Sequence, residues 1–436
     1  MTTASSTGNN LDPWYGHYAA RTAGLAASEV RALFAVASRP EVVSLAGGMP
    51  YVSALPPELV EQAALRAARE HSAVALQYGA GQGLPRLREQ ILEVMSLEGI
   101  RASADDVVVT TGSQHALELL AKLFLDPGDV VLAEGPSYLT AITVFRSFQA
   151  DVVHVTMDEE GIIPAVLVET IARLKTEGRR MKMLYLVPSF HNPMGVTLTW
   201  QRRMEVLEIA RANGILVIED NPYGLLYFDQ PAPHAMRSVD ADGIVYLGTF
   251  SKTLAPGLRV GWALAPHAIR EKLILANEAA ILSPSNFSQI VISEYLDTAD
   301  WRGQVDTFRG VYRERRDAML SALGEQLPQL SWTTPNGGFY VWLRLPDYLD
   351  SKAMLPRAVK ELVAYTPGTA FYADGGGRSA IRLSYCYPQP DFIREGVRRL
   401  AAVINGEMSL LNEFSQTGPL GVVPDEHEDV LPPSVG

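Results

Sequence analysis

The chain has 436 residues, 47% apolar and 20% charged, an ordinary globular balance that excludes a fibrous or wholly disordered protein. Its 37 Lys and Arg stand against 49 Asp and Glu, and a net charge of −12 argues against nucleic acid as the main partner. A single cysteine, Cys386, allows no internal disulfide and no multi-cysteine metal site, and no apolar run reaches the ~18 residues of a membrane span.

In chain order, the first ten residues (MTTASSTGNN) have neither a basic start nor an apolar stretch. They do not read as a secretory signal, so a cytoplasmic protein is expected. From about residue 60 to 300, short β-branched runs alternate with helical patterns. Strands are expected over 106–111 (DVVVTT), 129–134 (DVVLAE), 183–188 (MLYLVP), 215–219 (ILVIE), 244–250 (IVYLGTF) and 259–264 (RVGWAL). Helical spacing marks 114–124 and 201–212, while the basic cluster at 175–182, broken by Glu177, reads as a solvated helix end. Continuous apolar strands separated by helices indicate a mostly parallel sheet covered on both faces, the doubly wound α/β class.

After residue 300 the pattern changes. A charged helix over 308–323, strands at 338–343 and 380–384, and a helix over 393–404 describe a smaller α+β unit. From Ser409 onward Gly, Pro and acidic residues dominate, which suits a flexible tail. The expected division is therefore an N-terminal arm with part of the small domain (1–59), a large domain (60–300), a small domain (301–408) and the tail (409–436).

In an open parallel sheet, ligands bind beyond the carboxyl ends of the strands. There the chain places, in order, Gly112-Ser113-Gln114, then Tyr138, then Asn192 within HNPMG. Asp220 and Tyr223 within EDNPYG come next, then Ser251-Lys252 and Arg259. An anion cradle, an aromatic, an amide, a carboxylate, a phenol, a lysine and an arginine thus gather on one sheet edge. Pyridoxal 5′-phosphate needs that set: a lysine for its aldehyde, a carboxylate for its pyridine nitrogen, and N–H groups plus an arginine for its phosphate.

The motifs GGMP, QYGAGQG, HNPMG, EDNPYG, TFSKTLAPGLRVGW and IRLSYC occur in this order. With them the sequence resembles the fold-type I, PLP-dependent aminotransferases of class I/II from about residue 27 to 404. It is most similar to the branch containing 2-aminoadipate and broad-specificity enzymes. The resemblance implies a large domain with a mostly parallel seven-stranded sheet plus a smaller α+β domain. Lys252 would bond the cofactor aldehyde and carry the proton, and Asp220 would pair with the pyridine nitrogen. Asn192 and Tyr223 would meet the ring oxygen, and Tyr138 would stack on the ring. Gly112, Ser113, Gln114 and Arg259 would hold the phosphate, with a hydroxyl from Thr249 or Ser251. Tyr78 would reach the phosphate of a neighbouring subunit, which makes a homodimer the expected assembly. Arg382 would grip the substrate α-carboxylate, with Asn192 nearby. Arg31 would meet a distal carboxylate, and Gly47 and Gly48 would let the backbone approach.

The implied activity moves the amino group of an L-amino acid (aromatic, aliphatic or 2-aminoadipate-like) to a 2-oxo acid, 2-oxoglutarate above all, by a ping-pong mechanism. The alternative is another fold-type I reaction on the same cofactor: a β-lyase, a decarboxylase or a cyclising biosynthetic enzyme. A transcription regulator carrying an aminotransferase-like domain is disfavoured, because only 46 residues precede Gly47 and they lack a basic helix-turn-helix pattern. Other motifs fail. The glycines at 79, 81 and 83 are spaced GxGxG rather than GxGxxG, and there is no GxxxxGK[ST] or HExxH. The acidic run 425–429, with one histidine, reads as solvated, so no metal is expected.

Overall fold

The computed structural model describes residues 12–24 and 39–416. The strands in chain order are β1 (Val43–Ser44), β2 (Val107–Thr110), β3 (Val130–Gly135), β4 (Asp151–Asp158), β5 (Gly161–Ile162), β6 (Met181–Leu186) and β7 (Leu216–Asp220). They continue with β8 (Ile244–Thr249), β9 (Gly261–Leu264), β10 (Ser331–Trp332), β11 (Tyr340–Arg344), β12 (Val363–Ala364), β13 (Thr366–Pro367) and β14 (Ala380–Ser384). The main sheet has the order β2-β9-β8-β7-β6-β3-β4-β5. Strands β8, β7, β6, β3 and β4 pair in parallel, β9 runs antiparallel between β2 and β8, and β5 folds back on β4.

The continuous apolar runs have a direct physical reading. In β3, Val131 and Ala133 enter one buried cluster, while Val130 and Leu132 enter another on the opposite face. β6 divides the same way, Met183 and Tyr185 to one side and Leu184 and Leu186 to the other. With period-2 alternation and helices over both faces, neither face can be polar.

All six expected strands are present with ends shifted by a few residues. Strand β4 went unread because it lies toward the sheet edge: only Val155 and Met157 are buried, and His154 and Thr156 interrupt the apolar run. It completes seven strands, and the two-residue β5 adds an eighth beyond the expected number.

A second sheet, antiparallel with the order β10-β11-β14-β13, carries Tyr340 and Arg382. β1 pairs in parallel with β12, which brings the segment after residue 39 against the C-terminal part of the chain. The helix expected over 308–323 runs from Trp301 to Gln326, started by Asp300, whose side chain accepts the Gly303 N–H. It packs against the helix Pro390–Gln416. That last helix continues eight residues into the segment read as tail, where no Gly or Pro falls between Ser409 and Gly418. Residues 417–436 lie outside the described ones.

Candidate active site

β2 ends at Thr110, and Gly112 takes φ +86°, a left-handed conformation in which a side chain would be strained. The turn opens the helix Ser113–Phe124, whose first N–H groups have no intrahelical acceptor and favour an anion. Arg259, itself at φ +53°, lays its guanidinium on this turn and donates from Nη2 to the Thr111 carbonyl at 3.1 Å. A Cβ on Gly112 would stand 2.6 Å from that Nη2. Gly261 provides the matching close approach from β9, since a Cβ there would meet the Ser113 nitrogen at 2.6 Å. Beside the cradle, the Thr249 hydroxyl donates to Ser251 Oγ at 2.9 Å.

Asp220 ends β7 and is buried. Its Oδ2 accepts the Tyr185 O–H at 2.7 Å, while its Oδ1 is buried with no partner. Burial pushes the Asp220 carboxyl up to about 6, opposed by the Tyr185 hydrogen bond and the Lys252 charge. Lys252 follows β8 and donates from Nζ to the Gly48 carbonyl at 3.1 Å. Burial pulls its amine below the usual lysine range; Cys386 and Asp220 oppose this, whereas the Arg382 and Arg259 charges add to it.

Arg382 on β14 is buried. It donates from Nη1 to Asn192 Oδ1 at 2.9 Å and from Nη2 to the Ala46 carbonyl at 2.6 Å and Thr366 Oγ1 at 3.2 Å. Its Nε is buried without a partner, and the guanidinium lies 4.3 Å from the Tyr340 ring centre and 4.8 Å from that of Phe371. Tyr340 fixes the identity of Gly48, because a Cβ on Gly48 would stand 2.0 Å from the Tyr340 oxygen. Tyr223 touches the same phenol at 3.5 Å, and burial raises the Tyr223 phenol well above its ordinary range.

One cavity of about 360 Å³ joins these groups. Of the residues singled out in the sequence, Gly48, Ser113, Gln114, Tyr138, Asn192, Asp220, Tyr223, Thr249, Ser251, Lys252, Arg259 and Arg382 all line it. Gly112 shapes the cradle from just behind. Tyr78 does not reach the cavity and is 78% exposed. Arg31 lies outside the described residues.

Sequence reasoning missed Tyr185, Tyr340, Thr366 and Gly261. Tyr185 reads as one more core residue of MLYLVP, yet an alternate aromatic on a strand leading to HNPMG was the available signal. Tyr340 and Thr366 carried none, since only the folded second sheet brings them to Arg382.

The donors and acceptors fit pyridoxal 5′-phosphate. An unpartnered buried carboxylate oxygen suits a pyridine N–H, a helix N-terminus with an arginine suits a phosphate, and a buried amine suits an aldehyde.

Residues 40–400 match the family described as Aminotransferase class I and II. The aromatic-amino-acid aminotransferase 1 of Thermococcus litoralis is 39% identical over 396 residues, 90% of this chain and 95% of that protein. The crystal structure of a Pyrococcus horikoshii kynurenine aminotransferase, in complex with PMP, is 38% identical. It superimposes with a TM-score of 0.86 over 90% of this chain and 97% of that one. The α-aminoadipate aminotransferase of Thermus thermophilus, complexed with N-(5′-phosphopyridoxyl)-L-leucine, is 36% identical. Its TM-score is 0.84 over 91% of this chain and 99% of that one.

Proposed function

The chain belongs to the class I and II aminotransferase family, and from that premise we propose that it moves the amino group of an L-amino acid to 2-oxoglutarate in a ping-pong cycle on pyridoxal 5′-phosphate. Aromatic, aliphatic and 2-aminoadipate-like donors fall within this reading. One observation carries it. The free Oδ1 of Asp220, the amine of Lys252 and the guanidinium of Arg382 share one cavity with an anion cradle at its end.

In this reading Ser113, Gln114, Thr249, Ser251 and Arg259 hold the phosphate. Asp220 takes the ring nitrogen, Asn192 and Tyr223 the ring oxygen, and Tyr138 the ring face. Bound there, the cofactor supplies an aldehyde and a protonated ring that accepts the electron pair left at the substrate Cα. Arg382 receives the α-carboxylate through its planar guanidinium, which the nearby Tyr340 and Phe371 rings help to shield from water. The lowered pKa of Lys252 gives its Nζ more of the neutral amine near pH 7, the form that attacks an aldehyde and accepts a proton from Cα. Asp220, when ionised, stabilises a proton on the ring nitrogen across its free oxygen.

A homodimer in the cytoplasm belongs to the same reading. Tyr78 is exposed and away from its own cavity, and in this reading it would serve a neighbouring one. Mixing a Lys252→Ala chain with a Tyr78→Phe chain of severe defect should restore partial activity, whereas a fully active monomer in sedimentation would end the idea.

The test of the reaction is a panel of L-amino acids offered with 2-oxoglutarate, products identified by mass spectrometry. Glutamate and the donor's oxo acid should appear in equal amounts. Carbon dioxide or ammonia in place of glutamate would replace the proposal with a decarboxylase or a β-lyase.

A further inference from the structure

The turn Asp220–Gly224 lines the cavity with Asp220, Pro222 and Tyr223, and its Asn221 makes its bonds elsewhere. Asn221 Oδ1 accepts the Gly224 N–H at 3.0 Å, which closes the turn. Its Nδ2 donates to Glu98 Oε1 at 2.6 Å. Glu98 follows the helix Pro85–Ser96, accepts the Tyr246 O–H of β8 at its other oxygen, and through its carbonyl accepts the Ala235 N–H at 3.0 Å. Gly224 admits this arrangement, because a Cβ there would lie 1.8 Å from Glu98 Oε1.

We propose that Glu98 is a positioning residue for the cofactor site: it fixes the Asn221 amide and, through it, the turn that aims Asp220 and Tyr223 at the ring. The inference rests on the reading above, in which those two residues meet the cofactor. Both Glu98 oxygens are committed, one to the turn and one to the strand beside it, so the carboxyl ties the loop to the sheet from behind the cavity.

The arrangement is a costly one. Burial holds the Glu98 carboxyl up at about 7, against the lowering effect of the Tyr246 and Asn221 bonds and of Arg203, with Glu219 adding to the rise. Arg302, Asp306 and Arg309 line the same second cavity, of about 260 Å³, into which Glu98 opens. An apolar side chain would fill the place with less desolvation, so the use of the carboxyl lies in its two acceptor positions. Protonation preserves both links. A neutral carboxyl still accepts from Asn221 and can donate to Tyr246.

The experiment uses holoenzyme variants and follows kcat, KM and the pH at which the visible absorbance of bound cofactor changes. Glu98→Ala should shift that pH and lower kcat by roughly ten- to a hundredfold, with little change in KM, as expected for displaced reacting groups. Glu98→Gln, whose amide oxygen still accepts from Asn221, should restore both. Should the alanine variant fail to fold, Asn221→Asp keeps the acceptor for Gly224 but sets two carboxyls together, and the same spectral shift should appear. A folded Glu98→Ala or Asn221→Asp with unaltered titration and kcat overturns the proposal, as does a Glu98→Gln as impaired as the alanine variant. Wild-type protein that takes up no pyridoxal phosphate would remove the underlying reading instead.

Discussion

The wall of the cavity proposed to face the cofactor comes from strand ends of one sheet: Ser113 after β2, Tyr138 after β3, Asn192 after β6, Asp220 at the end of β7 and Lys252 after β8. The wall around Arg382 is assembled from distant pieces. Its guanidinium meets Asn192 across 190 residues of sequence and the Ala46 carbonyl across 336. Tyr340 and Thr366 come from two further strands of the second sheet. Groups delivered by a strand end sit beside their own structural signal, whereas groups delivered by tertiary convergence do not.

If that contrast is right, substitutions in the first wall remove chemistry and those in the second remove recognition. Lys252→Ala should show the largest effect, a loss on the order of 10⁶ in kcat, the scale on which covalent catalysts lose their nucleophile. Borohydride should trap a cofactor adduct in the wild type and none in the variant. An unchanged turnover would move the chemistry off the sheet edge altogether.

Asp220→Asn comes next. It keeps the shape and removes the charge opposite the ring nitrogen, and kcat should fall about a thousandfold, about 4 kcal/mol of barrier, with cofactor still bound. Pre-steady-state spectra would show whether the loss lies in the chemical step.

Arg382→Ala tests the second wall. A charge-assisted contact is worth roughly 1.5–3 kcal/mol, so kcat/KM should drop about ten- to a hundredfold for every amino and oxo acid. Arg31→Ala should spare apolar donors and impair only substrates with a second carboxylate, through the same magnitude of contact. Stopped-flow measurement of each half-reaction separates the two; equal losses for glutamate and an apolar donor would make Arg31 structural.

The same contrast explains how much could be read in advance. Six strands of the main sheet were legible because buried strands are continuous apolar runs, and the cradle, amide, carboxylate and lysine were legible because β2, β6, β7 and β8 each lead into a motif. β4 was not, since a half-exposed strand near an edge loses that pattern. The approach of Gly48 was suggested by GGMP, but its reason, the Tyr340 phenol 2.0 Å from any Cβ, depends on a residue almost 300 positions later. Helix starts were also hard: Asp300 caps the long helix eight residues ahead of Phe308, where the expected charged helix begins.

Tyr185 is where the two kinds of information meet, and its variant should show the smallest effect. It sits on β6, within a run legible as strand, but its O–H serves Asp220 on the neighbouring β7, a contact only strand pairing creates. The bond stabilises the ionised carboxyl, and it is the main influence opposing the burial that holds Asp220 up at about 6. Tyr185→Phe keeps the ring and deletes that donor. The charged form then loses support and the neutral form does not, so the Asp220 pKa must rise further. In the proposed function activity needs the carboxylate, so the acid limb of kcat/KM should move to higher pH. A lost hydrogen bond to a charged group is worth about 1.5–3 kcal/mol at most, and cofactor binding restores part of it, so kcat near pH 8 should fall about tenfold or less. The pH profile of kcat/KM with one amino donor decides the matter. An acid limb unmoved, or moved to lower pH, would show that Asp220 does not depend on Tyr185 for its charge.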